Sequence, residues 1–169
     1  MQKILIATRN LGKFRELMEV LEPLPFKFVS LRDEKIEGDV HESGQTYEEN
    51  AILKAEFFSR KANLPTIADD SGIIVEALKG ELGVQTRRWG AGEKASDEEW
   101  LEHFLARLAG ESNRKAHFNS VVALYWPGRP TQIFRGECSG MILQKPTIKL
   151  EPGIPLSAVF NPDAADKVF

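Results

Sequence analysis

The sequence predicts a mixed α/β fold, and three observations carry that prediction. Short aliphatic runs alternate with helix-period segments over the first half of the chain. Two capping boxes, Thr46-Tyr47-Glu48-Glu49 and Ser96-Asp97-Glu98-Glu99, mark helix starts. An alternating run from Ala116 turns at Pro127-Gly128-Arg129-Pro130 and returns as far as Leu143, a β-hairpin pattern.

In chain order, Lys3 to Thr8 is a compact aliphatic run and reads as a buried strand. A helix follows, with Leu11, Phe14, Leu17, Met18 and Leu21 at helical spacing, until Pro23 and Pro25 stop it. Phe26 to Leu31 reads as a second strand, and a polar, acidic loop runs on to Ser43-Gly44. The helix opened by Thr46 extends to about Asn63 and places Ala51, Ala55, Phe58 and Ala62 on one face. Thr66 to Asp69 is a short strand, Asp70-Ser71-Gly72 a turn, and Ile73-Ile74-Val75 another strand. Ser96 leads a helix with Leu101, Phe104, Leu105 and Leu108 inward. In the run from Ala116 to Trp126, Phe118, Val122, Leu124 and Trp126 share a face. The stretch from Lys145 to Phe169 is Pro-rich and weakly patterned. No repeat or linker divides the sequence, so one domain over 1–169 is expected.

Composition narrows the function classes. With 42% hydrophobic and 28% charged residues the chain reads as a globular protein able to bury a core. A net charge of −3 without a Lys/Arg run argues against nucleic-acid binding, which needs a concentrated positive footprint. The single Cys138 leaves no internal disulfide, and His41, His103 and His117 are scattered without zinc-ligand spacing. The apolar run Ile4-Leu5-Ile6-Ala7 is too short for a membrane span, which makes a cytoplasmic location the default and a membrane no partner.

Four segments offer chemistry. Asp69-Asp70, followed by Ser71-Gly72, places adjacent carboxylates after an apolar run, which suits either a hard divalent cation or a plain turn. Thr8-Arg9-Asn10-Leu11-Gly12-Lys13 joins a strand end to a helix start, where backbone N–H groups and the helix dipole favour an anion. A capping Asn10 and a solvated Lys13 would account for the same residues. Glu42 lies on the loop before the second helix, and Asn50 and Lys54 one turn apart on it. Gly80-Glu81-Leu82-Gly83-Val84 with Arg87-Arg88-Trp89-Gly90 is either a polyphosphate-reaching loop or a basic turn.

Taken together and in this order, these segments resemble the inosine triphosphate pyrophosphatase family. The matching pieces are Thr8 to Lys13, Glu42-Ser43-Gly44-Gln45-Thr46-Tyr47-Glu48-Glu49-Asn50-Ala51-Ile52-Leu53-Lys54-Ala55, Ala68 to Gly72, and Gly80 to Gly90. A weaker match continues through Phe134 to Gly140, so that the resemblance spans about the first 145 residues. It implies Mg²⁺-assisted attack of water at the α-phosphorus of deaminated purine nucleoside triphosphates. It implies an extended twisted mixed sheet flanked by helices, two lobes around a central active-site cleft, and a homodimer.

By the same resemblance, Thr8, Arg9, Asn10, Leu11, Gly12 and Lys13 hold the triphosphate. Lys54, Ser71 and Arg87 contact the substrate. Glu42 and Asp70, with Asp69 in support, bind the metal, and Asp70 also takes the proton of the attacking water. The C-terminal third departs from the family pattern: Gly153 to Phe160 lacks an aromatic residue at the base-stacking position. The sequence ends at Phe169, before the family's Lys and Ser-His-Arg elements, and Asp166 to Phe169 reads as a helix start. The base-binding portion is thus expected to be incomplete or divergent, with relaxed base discrimination and low activity. A nucleotide-binding module with little turnover and a pyrimidine-directed pyrophosphatase are the alternatives.

Overall fold

The structure is a computed structural model and describes residues 1–163 except 88 and 93. Among these, β1 (Lys3–Ile6), α1 (Leu11–Leu21), β2 (Lys27–Ser30), α2 (Tyr47–Ala62) and β3 (Thr66–Val75) follow one another. After two short 3₁₀ turns come α3 (Asp97–Arg107), β4 (Lys115–Tyr125), β5 (Gln132–Ile142) and, past a third, β6 (Phe160–Pro162). The strands hydrogen-bond in the order β2-β1-β3-β4-β5-β6, with β1 parallel to β2 and β3, and β5 antiparallel to β6. The fold is therefore the mixed α/β one expected.

The chain divides into two compact units, and β3, β4 and β5 each begin in one and end in the other. The first comprises Met1–Asp70 and Ser120–Arg135. Its core joins Leu5, Ala7, Val29 and Leu31 to Ala51, Ala55 and Phe58 of α2, with Ala68, Val121 and Ala123. The capping box at Thr46 forms as read, with Glu48 and Glu49 in the first turn of α2 and Arg60 and Lys61 in its last. Ser59 Oγ donates to the Leu64 carbonyl at 2.6 Å, turning the chain from the helix end into β3. Leu5 N donates to Pro65 O at 2.9 Å and Ala7 N to Ile67 O at 2.7 Å, which sets the β1–β3 register.

The second unit holds Ser71–Asn119 and the chain from Gly136. Its core contains Ile73, Val75, Trp100, Leu101, Phe104, Leu108 and Phe160, with Trp100 and Phe104 stacked at 5.2 Å. Buried Arg114 donates to the carbonyls of Leu108, Ile142 and Leu143 at 2.8, 2.7 and 2.9 Å, binding the end of α3 to the end of β5.

One expectation needs correction. Thr66 to Val75 is one strand with no turn at Asp70-Ser71-Gly72: Gly72 takes no positive φ, and the β-branched residues on either side favour an extended chain. In β4 the residues buried in the first unit are Val121 and Ala123, while Val122 and Leu124 are only half-buried. The run Val121-Val122-Ala123-Leu124 is apolar on both faces, so alternation alone does not say which lies deeper. Leu11, the first residue of α1, is 71% exposed. The helix start expected at Asp166 lies outside the described residues, as does Arg88.

Candidate active site

Asp69 and Asp70 are consecutive in an extended strand, so their side chains leave it on opposite sides and meet different cations. Asp69 accepts from Lys13 Nζ at 2.6 Å. Asp70 Oδ1 accepts from Lys54 Nζ at 3.1 Å, and its Oδ2 from Asn50 Nδ2 at 3.2 Å. The parallel β1–β3 pairing makes this possible, because it sets the start of α1 beside the carboxylates. α2 supplies the other partners: Asn50 and Lys54 are one turn apart and face Asp70 together.

At the β1–α1 corner Asn10 caps the helix, its Oδ1 accepting from Gly12 N at 2.9 Å and Lys13 N at 3.2 Å. Asn10 N donates to Thr8 Oγ1 at 3.2 Å. The capping reading holds for Asn10, and the solvated reading of Lys13 does not. The Lys13 side chain is 24% exposed and fixed by Asp69.

Lys54 Nζ also donates to Glu42 Oε1 at 2.9 Å. Glu42 and Asp70 therefore direct oxygen atoms at one positive charge, in a pocket where the lysine side chain is 12% exposed. The loop bearing Glu42 is latched by Gly44 N, which donates to Asn50 Oδ1 at 2.8 Å. A Cβ at Gly44 would stand 2.5 Å from that oxygen, so only glycine permits the latch. Hard carboxylate oxygens converging on a cation suit a hard divalent ion. Among the described residues, however, no three His, Cys, Asp or Glu lie close enough together to hold a metal alone.

The electrostatics divide the two aspartates. Burial alone would raise Asp69, but the ammonium groups of Lys13 and Lys54 hold its carboxyl below the usual value. Burial pushes Asp70 up, and Lys54 and Asn50 only partly offset it, with Glu42 adding to the rise. For Lys54, burial is outweighed by Asp70, Asp69 and Glu42, which raise it. Carboxyl groups held apart in this way are suited to different roles. Tyr47, at the start of α2, is pushed up to about 12 by burial and by the charge of Asp70. Its buried hydroxyl has no hydrogen-bond partner among the described residues.

One unit thus gathers Thr8, Asn10, Lys13, Glu42, Lys54, Asp69 and Asp70. Gly12 is buried in the first turn of α1. Arg9 donates to the carbonyls of Ile36 and Gly38. Ser71 and Arg87 belong to the other unit. There Ser71 is half-buried, and exposed Arg87 donates to Ala95 O at 3.0 Å with Asp97 Oδ1 at 3.5 Å. Asn50, singled out beside Lys54 in the sequence, had been given no role in the expected site. Its spacing of four from Lys54 was the available signal, and its amide, 2% exposed, is satisfied at both ends, donating to Asp70 and accepting from Gly44 N.

Comparison with known proteins follows the same line. A family model described as the Ham1 family matches residues 4–169, so the match extends past the 145 residues the motifs had spanned. A dITP/XTP pyrophosphatase from Geobacter sulfurreducens is 42% identical over 148 residues, 86% of this chain and 74% of the relative. One from Deinococcus deserti is 39% identical over 162 residues, 96% of this chain and 74% of that relative. The solved Ham1 protein of Staphylococcus aureus superposes with a TM-score of 0.78 at 35% identity, covering 99% of this chain and 84% of its own. A nucleoside-triphosphatase / dITP/XTP pyrophosphatase from Mycobacterium abscessus gives 0.74 at 33% identity, with 99% and 87% covered.

Proposed function

The chain belongs to the Ham1 family, and from that premise we propose that it hydrolyses deaminated purine nucleoside triphosphates to the monophosphate and pyrophosphate. The observation that carries the reading is the paired lysine–carboxylate arrangement on β3, a fixed cation on one side and a raised carboxyl on the other.

Lys13, fixed by Asp69, offers its charge to the triphosphate at the start of α1, where the helix dipole adds to it. Thr8 and Asn10 shape that corner through their own hydrogen bonds. Asp69, expected among the metal ligands, serves in this reading to hold Lys13. Asp70 takes the proton as water attacks the α-phosphorus: the new bond is water oxygen to phosphorus, and the bond to the bridging oxygen breaks, releasing pyrophosphate. A carboxyl raised by burial is a stronger base for that transfer. Asn50 orients Asp70 through its second oxygen, and Lys54 balances the charge of Glu42 and Asp70.

Glu42 and Asp70 are the residues that would bind Mg²⁺, which neutralises phosphate charge and acidifies water when bound. Ser71 and Arg87 are proposed as further substrate contacts. Assembly as a homodimer and a cytoplasmic location belong to the same reading, and no helix among the described residues is long and apolar enough to cross a membrane. Hydrolysis in ¹⁸O-water tests the chemistry: the label is expected in the monophosphate. Label in pyrophosphate or orthophosphate would refute attack at the α-phosphorus.

A further inference from the structure

Arg9 stands between Thr8 and Asn10, yet its guanidinium faces the loop that follows β2. Its Nη2 donates to the carbonyls of Ile36, at 3.1 Å, and Gly38, while Nε lies 4.0 Å from Asp39 Oδ2. Lys61, in the last turn of α2, donates from Nζ to the carbonyl of Glu37 at 2.9 Å. Three consecutive carbonyls are thus gripped from two elements, the outer two by Arg9 ahead of α1 and the middle one by Lys61 of α2. Bonds from ionised donors of this kind are the stronger ones. The Lys61 ammonium lies 3.2 Å from where a Cβ on Gly38 would stand, so the segment closes tightly on it.

Glu42 lies four residues beyond this grip, and Gly44 is latched to Asn50. The span 39–43 is thus fixed at both ends with Glu42 within it. Freeing either end multiplies the conformations open to that carboxylate.

We propose that Arg9 and Lys61 are positioning residues, a two-sided clamp on the carbonyls of 36–38 that holds Glu42 in place beside Lys54 for the divalent cation. The inference rests on Glu42 being a metal ligand, as read above. It gives Arg9 a role other than phosphate contact, and it brings in Lys61, which no motif marked.

Arg9→Met and Lys61→Met, each keeping much of the aliphatic stem, test the clamp. Amide hydrogen exchange over 36–44 in the metal-free protein needs no turnover. Each variant should raise it about tenfold or more. Each should also raise the Mg²⁺ concentration for half-maximal rate several-fold, because fewer molecules hold Glu42 ready. In Lys61→Met the kcat at saturating Mg²⁺ should stay within about twofold of the parent. A higher nucleotide KM in Arg9→Met with unchanged exchange would make Arg9 a phosphate ligand and overturn the clamp. Exchange unaltered in Lys61→Met would overturn it as well. Glu42→Gln separates the premise from the inference: if it leaves the Mg²⁺ dependence unmoved, the ligand reading of Glu42 fails, while the exchange data still decide the clamp.

Discussion

Asp69 and Asp70 are the same residue type at adjacent positions, and their surroundings drive their carboxyl groups in opposite directions. In the metal-free protein, ¹³C NMR of the side-chain carboxyls should show Asp70 titrating above the ordinary aspartate range and Asp69 below it. The stability consequences have opposite signs. Asp69, depressed in the fold, contributes stability above its unfolded value and loses it as pH falls. Asp69→Asn should therefore destabilise at pH 7, with the deficit closing in acid. Asp70, raised in the fold, contributes below its unfolded value and loses that stability as pH rises through the folded one. Asp70→Asn should compare better with the parent as pH increases. Lys54→Met strands two carboxylates in a pocket that is mostly closed and should cost about 3 kcal/mol. Added Mg²⁺ should recover part of the lost melting temperature if Glu42 and Asp70 accept a divalent cation; no recovery would count against that pair. Glu42, Lys54 and Asp70 were legible as parts of ordered motifs. The lead role of Asp70 over Asp69 was read from the resemblance, but the pairing of Asp69 with Lys13 was not legible, since it depends on an extended backbone that sends the two carboxylates to opposite sides.

The helices show which local signals suffice. The capping boxes at Thr46 and Ser96 and the Asn10 cap formed as read, because their chemistry is complete within four residues. Thr46→Ala should cost about 1 kcal/mol. Since α2 presents both Asn50 and Lys54 to Asp70, a lower melting temperature should be accompanied by reduced kcat. A stable variant of unchanged melting temperature would show that tertiary contacts alone hold the start of α2. β3 shows where local signals mislead. Asp-Asp-Ser-Gly is good turn chemistry, yet the chain stays extended from Thr66 through Val75 as an inner strand between β1 and β4, and tertiary context overrides the local preference.

Across the whole molecule, the strand–helix alternation and the hairpin gave the fold class, whereas the division into two units left no composition break to read. The strands themselves pass between the units, so no linker marks the boundary. Each unit closes its own core, and in the second Trp100 was overlooked beside the expected Leu101, Phe104 and Leu108. Its indole N–H donates to Thr86 O at 3.1 Å, a partner that only tertiary structure supplies. Phe104→Ala should cost about 3–5 kcal/mol, read by denaturant unfolding. Function is best judged by turnover. With Mg²⁺ and dITP, XTP or ITP, the parent chain should release pyrophosphate, and Asp70→Asn should slow release by about 10²–10⁴-fold. Pyrophosphate released from none of the three, or released by Asp70→Asn as fast as by the parent, would contradict the assignment of Asp70 as the base of a triphosphate pyrophosphatase.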